Sequence, residues 1–190
     1  MGLSGLVVKK AEEWREMVKD AVEELKGWGE GKDEDEEDDE EEGDEGEEDG
    51  DRDSLQEIFG ADKLPKGNEE LRAQLDVTLK KVKLIVTLFQ AIIKRRLKTL
   101  PPPPDIDGKV SLRVDELVMK LKDLPDKVDE MASSFYELDG EQAQKVLNAL
   151  GEGAQRTIEC VSRNWQGQTD EFSDWSSKWL NVFDMTGKEG

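Results

Sequence analysis

Residues 69–100 read EELRAQLDVTLKKVKLIVTLFQAIIKRRLKTL, and this stretch decides the fold class. Leu71, Leu75, Leu79, Val82, Ile85, Val86, Phe89, Ile92, Ile93, Leu97 and Leu100 recur at steps that keep apolar side chains on one side of an α-helix. The stripe is wide, so the helix is expected to sit centrally among several partners. Glu69 and Glu70 suit the positive end of the helix dipole; Lys94, Arg95, Arg96 and Lys98 suit its negative end. The prolines from Pro101 to Pro104 stop the helix, because each lacks an N–H and disfavours helical geometry before it.

The flanking segments carry the same period. Val7, Ala11, Trp14, Val18, Ala21, Leu25 and Trp28 form a heptad stripe that needs a helical partner, with Gly27, Gly29 and Gly31 expected to break the helix. A third helix should begin near Ser111 and repeat Val114, Leu117, Leu121, Leu124, Val128, Met131, Phe135 and Leu138. Its phase runs through Pro125, which predicts one kinked helix or two short ones in register. Asp139-Gly140 reads as the turn into a fourth helix, which carries Ala143 to Trp165 and ends at Gly167. Gly151 and Gly153 inside it suit close helix packing, and Cys160 should lie on or beside its apolar face. A last helix places Phe172, Trp175, Trp179, Leu180 and Phe183 together. Period-two alternation is lacking. Short connections make neighbours antiparallel. The expected fold is therefore all-α: an antiparallel up-down bundle of four long helices plus a shorter C-terminal helix, one domain over residues 1–190.

Charge is distributed very unevenly. The chain of 190 residues has 27 Lys+Arg against 47 Asp+Glu, a net charge of −20. Between Asp33 and Asp53 there are 17 acidic residues and one base, Arg52, so this tract carries −16 and the remainder −4. Asp33, Glu37, Asp39, Glu42 and Asp49 typify it. Neighbouring charges lie well inside a Debye length of about 8 Å, and nothing apolar offsets their repulsion. Residues 30–53 are accordingly expected to form a long, disordered acidic insertion after the first helix.

Several functions lose their usual chemistry. Histidine is absent, which removes the commonest general base and metal ligand. Cys160 is the sole cysteine, so neither an internal disulfide nor a multi-thiolate zinc site can form. There is no phosphate-binding glycine loop or nucleophile motif, and carboxylates in a solvated tract cannot be tuned as acid and base. No enzymatic activity, cofactor or metal site is expected. The net charge also disfavours direct nucleic-acid binding, which draws on Lys and Arg. No apolar run approaches the roughly 20 residues that span a bilayer. The reading is a soluble, intracellular protein.

The order of elements carries a resemblance. Gly5-Leu6-Val7-Val8-Lys9-Lys10 opens an acidic-rich helix, followed by the Asp/Glu tract, the Leu/Ile-rich helix with its basic end, and Leu117 to Tyr136 with its internal proline. This order resembles the C-terminal half of the cyclin-D-interacting protein family, the GCIP or cyclin-D-binding type, in a form that looks fungal. The resemblance covers nearly the whole chain. It implies a helical protein of nucleus and cytoplasm that regulates the cell cycle and transcription by binding D-type cyclins and helix–loop–helix regulators. Family members are longer, so the chain is expected to be the second half of a larger protein. No catalytic residues are implied.

Two aromatic faces are candidate partner-binding surfaces: Trp14 and Trp28 on the first helix, and Phe172, Trp175 and Trp179 on the last. The simpler reading places the Phe172, Trp175 and Trp179 face in the core, and the same question applies to Trp14 and Trp28. Ser54-Leu55-Gln56-Glu57 reads as a helix capping box, and Ser54 also suits an acid-directed kinase. Two functional readings follow. One is an interaction module using the bundle surface; the alternative is a chaperone-like binder of basic proteins, such as histones, using the tract. Salt separates them. Tract binding should weaken steeply between 50 and 300 mM salt in a pull-down, at about the Debye scale, whereas binding in an apolar groove should change little.

Overall fold

The computed structural model describes residues 3–30, 64, 67–102 and 108–188. Among them run five α-helices and no strand: α1 (Leu3–Glu30), α2 (Glu69–Ile92), α3 (Lys109–Tyr136), α4 (Gly140–Val161) and α5 (Glu171–Met185). A π-helical turn, Ile93–Leu97, extends α2 and is closed by the Lys98 N–H donating to the Ile93 carbonyl at 2.9 Å. The expected all-α bundle of four long helices and a shorter last one is what forms. The acidic stretch 31–53 and Ser54 lie outside the described residues.

One apolar core joins all five helices. Leu79, Ile85, Phe89, Leu121, Val128, Leu147 and Val161, from α2, α3 and α4, lie in it together. α2 is central: α1 packs along it, α5 lies on it, and α3 and α4 also touch it. α3 and α4 make the broadest contact, as an antiparallel hairpin should. Along α1, Ala11, Trp14, Val18, Leu25 and Trp28 are buried, and Val22 is more buried than its neighbour Ala21. Trp28 packs edge-on to Tyr136 of α3, with ring centroids 5.4 Å apart. Burial, then the facing Glu24 carboxylate, pushes the Tyr136 phenol up to about 12.

Several local expectations need correction. α1 does not break at Gly27 or Gly29 but continues to Glu30. Gly29 serves close approach instead: a Cβ there would come within 2.4 Å of the Leu75 Cδ2. Of the two forms expected around Pro125, the single helix is the one present: the proline sits buried inside α3, its missing N–H tolerated within a packed helix. Gly140 does not make the turn. Leu138 does, at φ 59, where its N–H meets the Phe135 carbonyl and the Asp139 N–H meets the Ser134 carbonyl. These bonds close α3 in a Schellman motif, with leucine where glycine is usual. Asp139 then caps α4 by accepting from the Gln142 N–H at 3.0 Å. α4 ends at Val161, so Trp165 and Gly167 belong to the following loop. Gly151 meets the close-packing expectation, since a Cβ there would touch the Phe183 ring at 3.0 Å; at Gly153 the nearest atom, on Leu124, is at an ordinary 3.4 Å.

The ends of the insertion are tied to each other. The Leu64 N–H donates to the Trp28 carbonyl at 3.1 Å, and Leu64 is buried in the core. Arg72 of α2 donates from Nη1 to the Gly29 carbonyl at 2.8 Å, satisfying the frayed end of α1.

Leu121 is fully buried in α3. Leu121→Asp should cost about 4 kcal/mol, because a carboxylate there has neither water nor a partner. Urea unfolding followed by circular dichroism measures this; an unchanged midpoint would contradict the core.

Candidate functional site

A helix that stops leaves its last carbonyls without intrahelical donors. At the end of α4 two arginines from other elements supply them. Arg96, in the π turn, donates from Nε to the Val161 carbonyl at 2.7 Å and from Nη2 to that of Ser162 at 3.4 Å. Arg113, in α3, donates from Nε to the Cys160 carbonyl and from Nη1 to that of Asn164, both at 2.8 Å, and from Nη2 to the Arg163 carbonyl. Positive charge at this end also complements the helix dipole. The Trp165 ring lies 4.7 Å from the Arg113 guanidinium, and its Nε1 donates to the Arg96 carbonyl at 2.8 Å. One indole thus links the two arginines.

Arg96 is fully buried, and its outer nitrogens grip Asp170 as a fork, at 2.7 and 2.8 Å. Two parallel charge-assisted bonds fix orientation as well as distance. Asp170 is also the N-cap of α5: its carboxylate accepts from the Ser173 N–H at 3.2 Å, while the Ser173 hydroxyl accepts from the Asp170 N–H at 2.9 Å. The Arg96 bonds hold this carboxyl down at about 2, with burial opposing and Ser173 assisting. Arg96 therefore sets where α5 begins. Its guanidinium also stacks 4.6 Å from the Phe172 ring.

Between the end of α2 and the start of α5 this leaves an open groove of about 400 Å³. Ala91, Phe172 and Trp175 give it apolar surface, Thr87 and Gln90 one polar side, and Lys94, Arg95 and Glu171 its charges. Arg95 reaches Glu171 at 3.5 Å, an exposed pair that adds little energy. The Thr87 hydroxyl donates back to the Lys83 carbonyl at 3.3 Å. The groove can seat an apolar anchor flanked by negative charge.

The aromatic candidates separate on burial. Trp14, Trp28, Phe172 and Trp179 are core residues. Trp179 is fixed further by its Nε1 donating to the Leu84 carbonyl at 2.9 Å. Trp175 is only half-buried and lines the groove, 5.8 Å from Phe172. The structure thus brings Phe172 and Trp175 together and leaves the α1 pair elsewhere in the core. Asp33, Glu37, Asp39, Glu42, Asp49 and Ser54 fall outside the described residues. Cys160 is half-buried beside the apolar face, and burial, then Glu116, raises its thiol, which disfavours the reactive thiolate. Among the described residues no cluster of His, Cys, Asp or Glu could hold a metal ion, and no helix is long and apolar enough to cross a membrane.

Arg96, Arg113 and Asp170 were not singled out from the sequence. Arg96 reads there as a helix-end charge, yet it falls on the buried stripe, three residues after Ile93 and seven after Phe89. That phase was the available signal. Compared with known proteins, the chain matches no family model, no curated protein and no solved structure.

Removing Asp170 strands the buried Arg96 charge, so Asp170→Ala should cost about 3–5 kcal/mol. The carboxyl is held below its unfolded value of about 3.9. Its contribution is therefore present above that pH and lost as pH falls through about 2. Acid titration of stability should show a shallower loss between pH 4 and 2 in Asp170→Asn than in the parent, at about one proton fewer taken up.

Proposed function

We propose that the chain is a non-enzymatic protein-interaction module that takes its partner in the groove between α2 and α5. One observation carries this: Trp175 is only partly buried and lines the groove beside Ala91 and Phe172, with Lys94 and Arg95 at its edge. Aromatic anchors inside a polar rim supply most of the energy of protein interfaces. The fitting occupant is a short amphipathic helix with an aliphatic or aromatic anchor and a carboxylate placed to meet the two cations. The resemblance to cyclin-D-interacting proteins supports partners of the cyclin or helix–loop–helix type, acting in cell-cycle and transcription control in nucleus and cytoplasm. Neither nucleic acid nor membrane is part of this reading.

A second reading rests on the 17 acids among residues 33–53, which suit chaperone-like binding of basic proteins such as histones. The two use different parts of the chain and can be separated.

Trp175→Ala should weaken binding of a purified D-type cyclin or helix–loop–helix partner about 30-fold, the loss of about 2 kcal/mol typical of an interface anchor. Calorimetric titration measures it, with circular dichroism confirming that the helices persist. Histone binding by the same variant should not change. Equal cyclin affinity for variant and parent would refute the groove.

A further inference from the structure

Residues 77–104 contain seven bases and no acid, in a chain whose net charge is −20. The structure arranges most of these bases in one line. Lys80, Lys83, Lys94 and Lys98 lie on the exposed side of α2 and the π turn, with Thr87 and Gln90 between them and Arg95 beside Lys94. Two of the seven face elsewhere: Lys81 sits 4.9 Å from the Phe183 ring and Arg96 is buried. Arg72 continues the line toward the start of α2, where Glu69, Glu70 and Asp76 are the acids. Among the described residues, none of Lys26, Lys80, Lys83, Lys94 and Lys98 forms an ion pair, and Arg95 has only Glu171. A helix face this basic, left without counter-charge on so acidic a chain, is an unpartnered surface.

Where the acidic insertion leaves the bundle identifies its occupant. The insertion departs from Glu30 and rejoins at Leu64, whose N–H is bonded to the Trp28 carbonyl. Gly29 and Glu30 line a second groove, of about 270 Å³, with Lys26, Arg72, Lys80 and Lys83. Both ends of residues 31–63 are thus anchored at the start of the basic line. From Arg72 to Lys98 the line is about 39 Å long, at 1.5 Å per residue. Half of the insertion, some 16 residues, spans up to about 55 Å at 3.4 Å per residue. The tract can therefore reach every cation on the line from where it is tethered. Tethering at this range acts like a local concentration of about a millimolar.

We infer that the basic face of α2, from Arg72 through Lys80, Lys83 and Lys94 to Lys98, is the docking surface for the same molecule's acidic segment, residues 33–53. The contact is one of many weak, exchangeable pairings rather than a fixed set, because exposed lysine–carboxylate pairs carry little individual energy. It does not depend on the identity of any groove partner.

The test uses the full chain and one probe, a fluorescent peptide with the sequence of residues 33–53. Replacing 33–53 with a Gly/Ser linker of equal length should expose the face. The peptide should then bind in trans at 50 mM salt, at least tenfold more tightly than it binds the intact chain, and should dissociate by 500 mM. Lys80→Gln, Lys83→Gln and Lys94→Gln combined in the Gly/Ser chain should abolish binding. These positions are exposed, and circular dichroism verifies the helices. Equal binding to intact and Gly/Ser chains would overturn the inference, since the face would then be open to acidic partners in the native molecule. Failure to bind either chain would overturn it too. So would an intact chain that sediments as a dimer and becomes monomeric on Gly/Ser replacement, because the occupant would then be the tract of a second copy.

Discussion

Burying a guanidinium is costly, and this bundle accepts that cost at Arg96. The side chain persists there because each side of its fork is satisfied: two carbonyls at the end of α4 on one, the Asp170 carboxylate on the other. Three elements that share no sequence neighbourhood are brought to one point. α2 supplies the arginine, α4 its exposed carbonyls and α5 its capping residue. Arg113 and Trp165 brace the same point from α3 and the intervening loop. The position of α5, and with it of Phe172 and Trp175, follows from this one side chain.

The helical architecture was legible because period and length are local properties. The stripes of α2, α3 and α4 predict most of the burial that the core contains, from Leu71 through Val161, whereas Leu138, expected on the α3 stripe, is exposed at the turn. Punctuation was less legible. Gly27 and Gly29 look like helix breakers in isolation, but α2 packs so close at Leu75 that a glycine at 29 is needed for contact, and packing outweighs the modest helical penalty of glycine. Leu138 gives no hint of a left-handed turn, because leucine adopts that conformation only where the flanking helices impose it. The site was hidden for a related reason. A basic run at a helix end satisfies the dipole argument fully, so nothing local says that Arg96 turns inward while Lys94 and Arg95 stay outside.

The same run shows how one short sequence divides its labour. Within Lys94-Arg95-Arg96, the third residue builds the core junction and the first two furnish the edge of the groove. Helix geometry does the sorting, as successive residues point about 100° apart. The groove thus sits directly over the interaction that orients it. The aromatic faces are divided as well: Trp179 is locked to the Leu84 carbonyl, and Trp175, one turn earlier, is left accessible.

The bond between the Leu64 N–H and the Trp28 carbonyl holds the two ends of the insertion beside each other. Closure entropy rises with the logarithm of length, so doubling the number of residues between those ends costs about 0.6 kcal/mol. Selection on folding therefore has almost no grip on how long the acidic stretch is. Insertions and deletions of Asp, Glu and Gly can accumulate there as drift, while the stem residues on either side cannot vary so freely. Related chains, where they are found, should align cleanly through Trp28 and again from Leu64, with an intervening gap of arbitrary size.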